Sequence, residues 1–163
     1  MDDFTLISNC HGICDDHMAT AARNIQTALD SDKDITATER FWERTKQVND
    51  HAYFCLLAFQ LEQFVRESFS HLCEAQLTTT TGVDRIAWER IKTSKADFLT
   101  MVKFLLPGDV HLYNRARELY RDRNKIAHEA ELSLPIQMST AQQDIEGIAL
   151  KIRSALPTPE AAP

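Results

Sequence analysis

The sequence predicts an all-α fold, an up-and-down bundle of four to five helices. Three observations carry this. No Gly or Pro occurs between Ile13 and Thr81, and few architectures other than helical ones leave so long a stretch unpunctuated. Apolar residues recur at three- and four-residue spacing, the period of one helix face. Strand-like alternation and internal repeats do not occur in the 163 residues.

Taken in order, Ile7, Cys10, Cys14, Met18, Ala21, Ile25 and Leu29 form the stripe of a first helix. The segment from Ser31 to Thr38 reads as a loop, with Thr38 as N-cap because its hydroxyl can accept from an orphan amide. A second helix runs from about Glu39 to Leu77, with Phe54, Leu57, Leu61, Phe64, Val65, Phe69, Leu72 and Cys73 on its core face. Thr78 to Gly82 breaks it, since β-branched residues disfavour helix and Gly permits the turn. A third helix spans Asp84 to Leu106 and stops at Pro107-Gly108. A fourth spans Asp109 to about Glu131 and is closed by Pro135. A fifth spans Ser139 to Leu156, with Ser139 or Thr140 as N-cap. Residues 1–156 read as one domain, and 157–163, with three of the five prolines, as a disordered tail.

Composition narrows the function classes. With 44% hydrophobic residues the chain can bury a core. No apolar run approaches the ~18 residues of a membrane span. The acidic start, Asp2 and Asp3, is unlike the basic start of an export signal, so a cytoplasmic protein with reduced thiols and no membrane association is expected. The net charge of -6 argues against binding nucleic acid over the whole surface. The charge is unevenly spread: residues 1–39 carry eight acids and two bases, whereas residues 85–125 carry ten bases and five acids. A local basic surface can still hold a phosphate backbone.

Cys10, His11, Cys14 and His17 place four metal-ligand types within eight residues. A structural zinc site draws ligands from separated segments, and no second pair follows. The two thiols, with Cys55 and Cys73, are read as small apolar residues, and no metal site is assigned. Sequence patterns for nucleotide-binding loops, serine hydrolases, zinc proteases and calcium loops do not occur.

The fourth helix carries the strongest pattern. An Arg followed by His after four to six residues occurs four times: Arg44 to His51, Arg66 to His71, Arg121 to His128 and Arg123 to His128. Only Arg121 and Arg123 are followed directly by Asp or Asn, and Ile126-Ala127 puts a small apolar pair before His128. Here the chain resembles the HEPN superfamily, small α-helical domains that include metal-independent ribonucleases. Physical reasoning also singles out Arg123. Leu112, Ala116, Leu119, Arg123, Ile126 and Ala130 share one stripe, so an Arg stands where an apolar residue is expected. It must find a carboxylate or reach water, because an unpaired buried charge is costly.

The resemblance implies a metal-free, cofactor-free endoribonuclease of the toxin or antiphage type. His128 is then the general acid–base, Arg123 the stabiliser of the phosphorane, and Asn124 the group that orients His128 or a phosphate oxygen. Arg117, Arg121 and Lys125 supply RNA contacts. Glu62 on the second helix is either the carboxylate facing Arg123 or an ordinary i,i+4 partner of Arg66. His128 lies roughly 140° round the helix from Arg123, which suits a site shared between two copies, and the family resemblance also implies a homodimer. A neutralising or regulatory protein partner belongs to the same picture. The family's Tyr two residues after the His is replaced by Ala130, so silencing through that acceptor is not expected. The alternative is a non-catalytic helical module that binds nucleotide or protein.

Overall fold

The computed structural model describes residues 3–29, 35–129 and 133–156. Six α-helices and no strand occur among them: α1 Asp3–Leu29, α2 Ile35–Thr79, α3 Gly82–Thr93, α4 Phe98–Leu105, α5 Val110–Glu129 and α6 Met138–Ala155. The all-α class is therefore correct. The expected tail 157–163, residues 31–34 of the expected 31–38 loop and Ala130 lie outside the described residues, while 35–38 belong to α2 rather than to a loop.

The sixth helix arises because the expected helix from Asp84 to Leu106 is two. The Ser94 hydroxyl donates to the Ile91 carbonyl at 2.7 Å, and the Asp97 carboxylate accepts the Thr100 amide at 2.8 Å. Short polar side chains that bond nearby backbone compete with continued helix, and Asp97 serves as the N-cap of α4. Two expected caps are corrected. Thr38 lies inside α2, because adding a residue to an established helix outweighs a weak threonine preference against it. Ser139 and Thr140 lie inside α6, whose first turn is closed by the Ala141 amide on the Gln137 carbonyl at 3.0 Å.

The chain forms two compact units. The first comprises residues 1–58 and 121–142, and the second residues 59–120 and 143–163. In the first, α1 and α2 run antiparallel: His11 meets Asp50 and Asp15 meets Lys46. Phe4, Phe54, Leu57 and Ala58 are its main buried apolar residues among those described. In the second, Leu61, Val65, Cys73, Val102, Ile145, Ile148 and Ile152 are almost wholly buried. Stacked Phe98 and Tyr120 join α4 to α5 at 5.1 Å, and the Arg153 guanidinium lies 5.2 Å over the Phe64 ring. The core face expected for α2 largely holds, although Phe64 and Leu72 are only half-buried.

Candidate functional site

Local sequence sets the start of α5. Gly108, with φ of 83°, takes the left-handed turn after α4 that an L side chain disfavours. The Asp109 carboxylate then accepts the Leu112 amide at 3.0 Å and caps the new helix. Within the second unit, Ala116 and Leu119 bury the apolar face of α5, and Arg115 bonds both Asp144 and Glu118.

The candidate residues lie along the helix beyond this anchor. Arg123 is half-buried, and its Nη1 donates to the Asn124 carbamoyl oxygen at 2.9 Å. That bond occupies Asn124 Oδ1 and leaves its NH2 group as the donor that can face His128 or a phosphate. The positive charge of Arg123 also acts on Cys55 of α2, opposing the larger effect of burial, which raises the thiol's pKa. His128 is exposed in the last turn of α5, without a hydrogen bond among the described residues. Arg117 and Arg121 are exposed, and Arg121 Nε donates to the neighbouring Asp122 at 3.1 Å. Lys125 is half-buried. Thus Arg123 and Asn124 are brought together, while His128 stands apart on another side of the helix.

Glu62 is half-buried on the part of α2 that belongs to the second unit, whereas Arg123 belongs to the first. Arg66, its other expected partner, makes no ion pair among the described residues. The remaining Arg–His spacings resolve differently. His51 is 2% exposed, and its Nε2 donates to the Leu134 carbonyl at 2.8 Å. A carbonyl only accepts, so the proton sits on Nε2 and this ring acts as a structural tie. His71, five residues after Arg66, is exposed on α2.

A second polar cluster went unrecognised in the sequence. His11 Nε2 and Asp50 Oδ1 are 2.7 Å apart, and Lys46 Nζ donates to Asp15 at 2.7 and 2.9 Å. His11, Asp15 and Asp50 bring one ligand-type atom each within 4.8 Å of one another. The ammonium of Lys46 already supplies positive charge to both carboxylates, lying 3.9 Å from Asp50. Cys14 Sγ pairs with the Tyr53 hydroxyl at 3.2 Å, while Cys10 and His17 are exposed. The Cys10–His17 run therefore does not form one ligand set. The available signal was a His–x3–Asp pair facing a second helix with an acid of its own. All four cysteines are free.

No helix among the described residues is long and apolar enough to cross a membrane. Comparison with protein-family models, with curated proteins and with solved structures finds no match.

Proposed function

We propose that this chain is a HEPN-like, metal-independent endoribonuclease that works as a homodimer, with an up-and-down bundle as its scaffold. The observation that supports it most is the end of α5. Arg123 occupies an apolar-stripe position and is half-buried beside Asn124, with His128 open to solvent five residues on.

In the proposed reaction the RNA 2′-hydroxyl attacks the adjacent phosphate and the 5′-oxygen leaves. The products are a 2′,3′-cyclic phosphate and a 5′-hydroxyl. His128 transfers the proton, since an imidazole can both accept and donate one. Arg123 binds the phosphorane oxygens through its planar fork. Asn124 holds the Arg123 guanidinium in place and turns its NH2 toward phosphate or His128. Arg117, Arg121 and Lys125 hold flanking phosphates.

Two copies bring the Arg123 of one and the His128 of the other to one phosphate. An apolar stripe supports self-association: Phe41, Val48 and Leu56 of α2 are 61%, 45% and 49% exposed at helix-face spacing. A cytoplasmic toxin or antiphage effector, restrained by a protein partner, is the biological role that follows.

His128→Ala tests the reading. It should abolish cleavage of total RNA and leave the helical circular-dichroism signal unchanged. Wild-type products should carry cyclic phosphate ends, and sedimentation should give a mass near twice 18.6 kDa. Cleavage that persists in His128→Ala rejects the mechanism. A folded dimer that never cuts RNA supports the non-catalytic module instead.

A further inference from the structure

The second unit contains a cavity of about 480 Å3 at the junction of α2, the α3–α4 connection and α4. Its size is within the range of small-molecule sites. Arg66 and Ser70 reach it from one face of α2, Lys92 from the last turn of α3, and Lys95 from the connection. Phe69 and Met101, 6% and 3% exposed, form its apolar wall.

Charge sets this cavity apart. It is lined by three cations and by no carboxylate, in a chain whose net charge is -6. Lys92 meets Glu74 at 3.3 Å outside the lining, while Arg66 and Lys95 have no ion pair among the described residues. Burial raises the pKa of the lining Cys73 thiol, which keeps it neutral and adds no negative charge. A concave site of one sign beside low-dielectric walls focuses its field on an incoming ion of opposite sign. Opposite charges attract more strongly near a protein surface than in bulk water. A dianion therefore gains more from three cations here than a carboxylate does.

We propose that this cavity binds a phosphomonoester, its dianionic head on Arg66, Lys92 and Lys95 and its organic body against Phe69 and Met101. The guanidinium fork matches two phosphate oxygens and the lysines act as point charges. Ser70 adds a hydroxyl donor. Ser94, also in the lining, donates its proton to the Ile91 carbonyl and takes no donor role. The volume exceeds what a bare phosphate fills, which is why an organic body belongs to the ligand. The proposal is independent of the ribonuclease reading, whose residues lie on α5 and at Glu62.

The test is amide chemical-shift titration of the full chain with phenyl phosphate, inorganic phosphate and phenol. Phenyl phosphate should give saturable shifts at Ser70, Ser94, Lys95 and Met101, inorganic phosphate the same pattern more weakly, and phenol none. Arg66→Glu with Lys95→Glu should weaken phenyl phosphate at least tenfold, and Lys95→Glu alone about threefold. Lys151→Glu, at an exposed position of α6, should leave it unchanged. Three results would overturn the proposal: no saturable shift, shifts spread over every cationic surface, or undiminished affinity after charge reversal. Loss of RNA binding in Arg66→Glu/Lys95→Glu without any phenyl phosphate site would assign the cavity to a polymer and also reject it.

Discussion

In the first unit α1 meets α2 through His11, Asp15, Lys46, Asp50, Cys14 and Tyr53, all of them polar and partly reached by solvent. The described interior of the second unit is instead made of Leu61, Val65, Val102, Ile145, Ile148 and Ile152. Apolar burial contributes about 25 cal/mol per Å2 and needs no partner geometry. Exposed ion pairs contribute about 0–1 kcal/mol each. The difference teaches where the molecule can change without unfolding. The described core of the second unit is mainly aliphatic, while the first adds to its buried Phe4, Phe54 and Leu57 a set of polar α1–α2 contacts that pH and substitution reach. The ribonuclease proposal puts Arg123, Asn124 and His128 in the first.

The strongest attempt to break this contrast is Ile148→Ala, at a wholly buried α6 position in the second unit. It should lower the urea midpoint by the equivalent of about 2–5 kcal/mol, the cost of a large apolar truncation plus its cavity. Lys46→Met in the first unit should cost no more than about 1 kcal/mol, because Lys46 is 55% exposed and its ion pairs are screened. Equal losses at the two positions would dissolve the distinction.

A smaller effect is expected at the one strongly buried polar tie described in the first unit. His51→Ala leaves the Leu134 carbonyl without its donor and should cost about 1–3 kcal/mol by equilibrium unfolding. A neutral result would show that the segment after α5 is held by something other than His51.

Acid should separate the units without any mutation at a contact. In the first, Lys46 is raised above its ordinary value of 10.5, chiefly by its hydrogen bond to Asp15. Tyr53 is raised above 10.0, chiefly by its hydrogen bond to Cys14. A raised folded value means that the stabilisation is complete below the unfolded value and is lost as pH climbs through the folded one. In the second unit Asp97 is lowered below 3.8, chiefly by the Thr100 amide. Its contribution is present above that value and fades as pH falls through the folded one. Trp42 and Trp88 report on the two units separately. In single-tryptophan variants, Trp88 emission should shift before Trp42 emission in acid, whereas both should shift in alkali, because Cys73 of the second unit is raised as well.

The same contrast explains what was legible in the sequence. Helix existence and the core face of α2 were readable because apolar periodicity decides them, and Phe54, Leu57, Leu61, Val65 and Cys73 are buried where the spacing put them. The break at residues 94–97 was missed because it is made by Ser94 and Asp97 side chains, without Gly or Pro. The Asp50 contact to His11 was missed because it depends on how α1 pairs with α2, and spacing within one helix does not encode that. For the candidate site, the sequence supplied the Arg123–Asn124 neighbours and the angular offset of His128. It did not show that Arg123 Nη1 would take up the Asn124 oxygen.

The smallest expected change in stability falls on Arg123, and it sharpens the comparison most. Arg123 shares a stripe with Ala116 and Leu119, which the second unit buries, yet in the first unit Arg123 is only half-buried and bonds its neighbour Asn124. Were it a core ion-pair residue, removing it would strand a buried carboxylate and cost ~3 kcal/mol or more. At a half-buried position, Arg123→Ala should stay within about 1 kcal/mol in a thermal or urea melt. RNA cleavage should nevertheless disappear, because the phosphorane loses its fork. Arg123→Lys separates charge from shape: it keeps the cation but loses two parallel N–H donors, so cleavage should remain badly impaired while the melt is unchanged. A large loss of stability with wild-type RNA binding would return Arg123 to the scaffold and take the proposed chemistry with it.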